Sequence, residues 1–363
     1  MRRWIGAALV AGLALVTMPL AALSAPLGLP DTPRPPAAQV ALGKALFFER
    51  GLSVNGTLSC AMCHVPEQGF TSNELRTSVG MEGVSLRRNA PTLLNVAYQR
   101  SLFHDGRARS LEHQALMPLL HPDEMANADE AALVARSARL PALRPLFARA
   151  YGDSRPTAPR IAAALAAYQR TLLAGDSPFD HWHYAGDAGA MPAAARRGFE
   201  VFRAQGCDRC HLVGTTSSLF TDHGFHNVGV AWRSQARQRQ DQPVQLVPGL
   251  TTRLTPQEVA RIGVPDMPDL GRYEITRRAQ DLRAIRTPTL RNVALTAPYM
   301  HDGSFDTLEQ VIDHYAAGGS PTDPAQDPLI RPLALSREDR AALVAFLRAL
   351  TAPHPPGRGR DEP

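Results

Sequence analysis

The sequence predicts a mainly α chain with long loops, built as two related lobes by internal duplication. Three observations lead to that fold class. First, residues 89–114 (NAPTLLNVAYQRSLFHDGRARSLEHQ) match residues 286–310 (RTPTLRNVALTAPYMHDGSFDTLEQ) at a constant offset of 197. Self-similarity over such a span marks a repeated structural unit. Second, a C-x-x-C-H motif stands upstream of each copy, CAMCH at 60–64 and CDRCH at 207–211. Third, each motif closes a helix-like stretch, 41–60 and 193–207, while Pro is abundant (31 residues) and aromatics make up only 6%. That composition suits helices and loops better than a large β-sandwich.

From the N-terminus, MRRWIGAALVAGLALVTMPLAALSA has two arginines, an apolar run broken by Pro19, and small residues at its end. This is the pattern of a cleaved secretory signal over 1–24. An uncleaved membrane anchor is the alternative, and no later segment is apolar enough to span a bilayer. Residues 25–38 read as a stiff Pro-rich leader. The first lobe is predicted over 39–175 and ends in PRIAAALAAYQRTLLAG (159–175), whose Ala/Leu spacing predicts a buried helix. The second lobe is predicted over 176–350. Its His211-to-His301 gap is 90 residues, against 40 between His64 and His104. It therefore carries an insertion of 50, placed within WRSQARQRQDQPVQLVPGL (232–250) and onward. In DTLEQVIDHY (306–315), Thr307 and Gln310 predict a capping box. SREDRAALVAFLRAL (336–350) predicts a helix capped by Ser336, with two acids following. Residues 351–363 read as a disordered tail. The formal charge of +5 falls to +3 without Arg2 and Arg3. Thinly spread, with no basic run, it gives no nucleic-acid partner.

All four cysteines sit in the two motifs. In an exported chain they would ordinarily suggest two disulfides. The C-x-x-C-H spacing points instead to covalent c-type haem. Two thiols one helical turn apart meet the two vinyl groups as thioethers, and the adjacent His lies under the iron. A redox dithiol does not require that His. A zinc site of two C-x-x-C pairs is the other alternative, but the pairs lie 147 residues apart and each carries its own His. Two covalently bound haem c groups follow, attached through Cys60, Cys63, Cys207 and Cys210, with His64 and His211 as iron ligands. The lobes are then cytochrome c-like, with haem among helices in place of a large apolar core.

The repeat sets Pro118 opposite Tyr315. An iron with protein ligands on both faces transfers electrons, and one with a free face binds peroxide. Proline has no side-chain donor, whereas tyrosine can ligate as phenolate. The first lobe is thus predicted to hold the open haem and the second the closed one. A buried core tyrosine is the alternative, and Tyr299, Met300 and Met267 are competing donors. Met300 has Phe103 as its repeat partner, which favours packing.

These motifs, together with HDGRARSLEHQALMPLLHPDEM (104–125), SPFD (177–180) and FHNVG (225–229), resemble the bacterial diheme cytochrome c peroxidase family and its MauG branch over roughly residues 38–350. The resemblance implies that one haem reacts with hydrogen peroxide and the other relays electrons. It places the family's distal ligand, methionine in typical peroxidases and tyrosine in MauG, at Tyr315. It makes Glu124 the acid/base and Gln114 the hydrogen-bond donor in O–O cleavage; from chemistry alone both read equally as surface polar residues. A phenolate ligand favours oxidised iron, which implies a MauG-like sharing of oxidising equivalents between both irons. Typical members carry a haem-capping His in a loop that here reads SVGMEGVSLRRNAPT (78–92), without His; Met81 is the nearest donor. His104 stands where tryptophan is usual, which puts electron hopping at this position in doubt. Its expected partner is a haem propionate or a bridging water, and His301 is its repeat partner. The resemblance also implies one calcium ion on Asn89, Thr296 and Pro298, although Asn89 reads equally as a turn residue. His181 and His183 in HWHY look like a metal pair but read more plainly as loop. His226 receives no role.

The leading expectation is a periplasmic peroxidase that takes electrons from a small cytochrome c or a cupredoxin, with homodimers common in the family. One alternative is MauG-type oxidation of residues on a partner protein. The other is a non-catalytic diheme electron carrier, which needs both irons six-coordinate and is opposed by Pro118, Gln114 and Glu124.

Overall fold

The computed structural model describes residues 25–238, 242–247, 250–255 and 269–357. The expected signal at 1–24, Met267 and residues 358–363 of the expected tail lie outside the described residues. The chain is mainly helical with little sheet. The first half carries α1 (Ala37–Phe48), α2 (Cys60–Cys63), α3 (Leu111–Leu120), α4 (Glu130–Ala138), α5 (Arg144–Tyr151) and α6 (Ala158–Gln169). The second carries α7 (Pro178–His183), α8 (Ala193–Ala204), α9 (Val230–Gln238), α10 (Tyr273–Thr276), α11 (Leu308–Ala316) and α12 (Arg337–Ala349). Strand β1 (Phe225–His226) pairs antiparallel with β4 (Ile285–Arg286), and β2 (Gln242–Val247) with β3 (Leu250–Leu254). Among the described residues no helix is long and apolar enough to cross a membrane.

Buried apolar side chains form two clusters. One spans Leu42 to Ala174 with Ala352, and the other spans Phe179 to Leu350. Each is organised by a helix crossing, α1 on α6 and α8 on α12. Glycine makes both crossings close. A Cβ on Gly43 would lie 1.9 Å from the Ala164 carbonyl oxygen, and one on Gly198 1.9 Å from that of Ala342. Large side chains then fill the flanks: Phe47 meets Tyr168 at 5.3 Å between ring centroids, and Phe202 meets Phe346 at 5.0 Å.

Backbone features recur 197 residues apart. Ser110 caps α3 by accepting the His113 N–H, and Thr307 caps α11 by accepting the Gln310 N–H. Asn95 and Asn292 share a left-handed backbone (φ 61° and 60°), as do Phe103 and Met300 (64° and 73°). Isolated bridges join Leu102 to Ala108 and Tyr299 to Phe305. The capping box expected at Thr307 is half formed, because Gln310 Oε1 accepts from the Asp306 N–H, one residue early. The Ser336 cap is realised in full, with Asp339 reaching back.

Two expected extensions pack on the fold. In the leader, Leu29 is buried, Leu27 N–H donates to Asp176 Oδ1 and Tyr98 Oη donates to the Pro30 carbonyl. In the tail, residues 351–357 are held because Ala352 is buried and donates its N–H to Asn292 Oδ1 at 2.8 Å.

The halves meet in a reciprocal contact. Asn89 N–H donates to the His301 carbonyl and Arg286 N–H to the His104 carbonyl, both at 2.8 Å. Since 89 matches 286 and 104 matches 301, each side presents the same pair, as across a two-fold axis. Arg88 fastens this seam, donating to both oxygens of Asp269 at 2.7 Å and to Asp105 Oδ2 at 2.5 Å.

Candidate active site

Both C-x-x-C-H motifs open onto one cavity of about 2540 Å³, walled by residues of both halves. An ordinary small-molecule pocket holds roughly 300–1,000 Å³, so this one has room for more than one large prosthetic group. In the first motif the single turn α2 puts Cys60 and Cys63 on one side and delivers His64. There Nδ1 donates to the Phe70 carbonyl at 3.1 Å. In the second, His211 Nδ1 donates to the Phe220 carbonyl at 2.8 Å. A ring whose Nδ1 is a donor keeps its lone pair on Nε2. Burial lowers the pKa of both imidazoles, so both stay neutral and able to ligate.

The cysteines are free of disulfides among the described residues. Burial pushes the Cys60 thiol up to about 12 and the Cys207 thiol up to about 11. A redox C-x-x-C pair needs the opposite, a lowered thiol. The zinc alternative also fails. Among the described residues the one convergence of three His, Cys, Asp or Glu donors is Cys210, Asp222 and His226, which leaves the two cysteine pairs apart. Cysteine pairs at cavity walls, each with a neutral, carbonyl-oriented His, fit two covalent haems. Cys60, Cys63 and His64 would hold one, and Cys207, Cys210 and His211 the other.

Helices α3 and α11 line the cavity at matched positions with different chemistry. Gln114 corresponds to Val311 and Pro118 to Tyr315, and all four face the cavity. Burial raises the Tyr315 phenol pKa, so it stays protonated unless a cation takes the proton's place. Beyond α3, Glu124 lines the same cavity. Burial raises its carboxyl pKa, while His121 and Arg107 draw it back down. Its charge is felt at Cys60 and Cys63, which sets it on the first site. Arg107 itself stacks on Phe103, 3.5 Å from the ring centroid, and donates to Asp105.

His104 and His301 both line the cavity, with ring centroids 6.5 Å apart. His104 Nε2 donates to the Asn89 carbonyl at 2.9 Å. Burial pushes its pKa down to about 3, so it is a neutral ring tied to the seam. His301 Nε2 lies 3.7 Å from Asp269. Asn89, Thr296 and Pro298 all border the cavity. The Asn89 amide nitrogen donates to the Arg76 carbonyl at 2.9 Å, which leaves Oδ1 turned elsewhere.

Among the competing donors, Tyr299 and Met300 line the cavity, whereas Met81 is buried between the wall residues Ser78 and Gly83. His181 and His183 lie on helix α7 rather than in a loop, both exposed. Two residues apart, they face different sides of the helix. His226 is the residue that sequence reasoning left without a role. It is clamped between Asp327 (2.6 Å) and Asp222 (2.8 Å) beside Cys210, and these acceptors, the Cys210 sulfur first, raise its pKa to about 10. Its carboxylate partners lie 101 and 4 residues away, so only the nearer was within local reach.

The family comparison completes this geometry. The sequence model for the di-haem cytochrome c peroxidase family matches residues 37–189. The methylamine utilization protein MauG of Methylorubrum extorquens is 39% identical over 92% of this chain and 85% of its own. The chain belongs to the diheme cytochrome c peroxidase and MauG family. The cytochrome c551 peroxidase of Nitrosomonas europaea is 32% identical, covering 86% of this chain and 80% of its own. The fold matches a Y463M variant of the diheme peroxidase BthA from Burkholderia thailandensis with a TM-score of 0.71, at 27% identity over 89% of this chain and 88% of that one. As a member of this family the chain is an oxidoreductase that carries haem c.

Proposed function

We propose that this chain reduces hydrogen peroxide at an open N-terminal haem and uses a C-terminal haem, ligated by His211 and Tyr315, as electron relay. The observation that carries the reading is the pairing of Pro118 with Tyr315 at one position of two matched helices facing one cavity. Bound haem supplies the iron at which peroxide is cleaved and through which electrons pass. The chain supplies the rest. At the first site Pro118 would offer an iron no side-chain ligand, and Gln114 would offer an amide N–H to peroxide. Glu124 would serve as the carboxylate that takes a proton from one peroxide oxygen and gives it to the other, a role that accelerates such transfers by about 10²–10⁴. In the second site Val311 would exclude peroxide by apolar bulk and Tyr315 would do so as an iron ligand. His104, neutral and tied to Asn89, takes no proton.

The recurrent caps, bridges and left-handed residues support an origin by internal duplication. Calcium on Asn89, Thr296 and Pro298, export to the periplasm after removal of residues 1–24, homodimer formation, and a small cytochrome c or cupredoxin as donor rest on the family resemblance. A second reading, MauG-type oxidation of a partner protein, is favoured by the Methylorubrum relative and by Tyr315. The two separate on one experiment. Ferric protein is mixed with peroxide and reduced donor cytochrome under steady-state conditions. Sustained oxidation of many donor equivalents per enzyme supports the peroxidase. Failure to turn over, with oxidised residues appearing on an added partner protein, supports the second reading.

A further inference from the structure

Four arginines are withdrawn from solvent around the seam and the second core, and three carry an acid. Arg291 pairs through both terminal nitrogens with Asp180 at 2.8 Å, Arg283 pairs with Asp323, and Arg88 with Asp105 and Asp269. Arg286 differs. It is only 9% exposed and borders the haem cavity. Its side chain meets neutral acceptors alone: Gln99 Oε1 at 2.5 Å and the Phe103 and Thr287 carbonyls at 3.3 and 3.4 Å. Nη2 has no acceptor among the described residues, and no carboxylate there pairs with the group. Burial pushes its pKa down to about 10, with nothing opposing it.

A guanidinium buried without a counter-charge is costly, and its planar fork matches a carboxylate. The fold fixes this one firmly. Its backbone is paired in β4, its N–H is bound to the His104 carbonyl, and its side chain crosses the seam to Gln99. A haem tethered by thioethers at its vinyl edge presents two propionates at the opposite edge, and these are the carboxylates that haem loading adds to the cavity. We propose that Arg286 is the anchor for a haem propionate at the seam between the two sites. The propionate supplies the counter-charge that the protein itself withholds. The inference does not depend on which iron is open. It extends to Gln99, which orients the fork as a positioning residue.

The test uses the haem-loaded protein and its R286Q and R286K variants. Each haem's midpoint potential is read by spectroelectrochemistry, and the propionate-bending band by resonance Raman. Loss of the cation favours ferric iron. R286Q is therefore expected to keep two haems, move one midpoint to a more negative value and shift that haem's propionate band, with R286K returning the midpoint towards wild type. The haem that responds identifies whose propionate is held. Unchanged midpoints and bands in R286Q would overturn the proposal, as would a moved midpoint with an unmoved band, since a distant charge does that. Should R286Q fail to mature, R286K decides: its shorter, non-planar head is expected to shift the band, and an unshifted band overturns the proposal. A wild-type midpoint that tracks chloride or acetate concentration would place a free anion on Arg286 instead and would also overturn it.

Discussion

Tyr315 and Pro118 occupy one position of two matched helices, and under the proposed function that single difference decides which iron is open. That difference was legible in the sequence because the repeat aligned the two residues. The neighbouring contrast of Gln114 with Val311 is as plain once the helices are superposed, and it sharpens the assignment of a polar first site and an apolar second one. Glu124 carries the clearest kinetic expectation. Glu124→Gln should lower kcat for peroxide by about 10²–10⁴. Because burial raises the pKa of this carboxyl, its ionised form is lost at a higher pH than for an ordinary glutamate. Peroxide turnover should therefore decline as pH falls through that raised value, and the Gln variant should lose this acid limb; a kcat/KM profile against pH checks both. Arg286 and His226 were not legible. An arginine or histidine in sequence does not disclose whether its partner is an acid, and here the deciding contacts come from residues up to 187 positions away.

At the scale of elements, periodicity and caps gave the helices their places, as at Ser336, whose side chain accepts the Asp339 N–H while Asp339 reaches back. Ser336→Ala should cost about 1 kcal/mol, read as a lowered thermal midpoint of the loaded protein. The small residues at the crossings carried no such signal, because what forbids a side chain at Gly43 is the backbone of another helix. Gly43→Ala or Gly198→Ala would drive a methyl into a carbonyl 1.9 Å away. Forced separation of α1 from α6, or of α8 from α12, should cost about 1–3 kcal/mol, measured by thermal or denaturant unfolding. A thermal midpoint equal to wild type in both variants would mean that these crossings are looser than described. His181 and His183 show the converse error: a dense His/Trp/Tyr string looks like a loop, yet Ser177 and Asp180 form a capping box that starts a helix there.

For the whole molecule, the recurrence of caps and turns could be expected from the offset of 197, but the seam could not, since Arg88 and Asp269 are 181 residues apart. Burial alone would raise the pKa of Asp269 and of Asp105; the Arg88 guanidinium, joined by Arg107 at Asp105, outweighs it and holds both below the usual carboxylate range. Their contribution to stability is therefore complete above the unfolded aspartate pKa of about 3.9 and is lost as pH falls through the lower folded values. Acid unfolding should begin at the seam, and Arg88→Met, which takes the two-point partner from Asp269 and leaves Asp105 to Arg107, should cost about 3 kcal/mol near neutral pH. The proposed function requires two haem sites that share a fold and differ in access. The most direct measurement is low-temperature EPR of the ferric protein beside its Tyr315→Phe variant. One high-spin and one low-spin haem are expected in the parent, with the low-spin signal altered or converted to high spin in the variant. Two low-spin haems in the parent, or a low-spin signal untouched by the substitution, would contradict it.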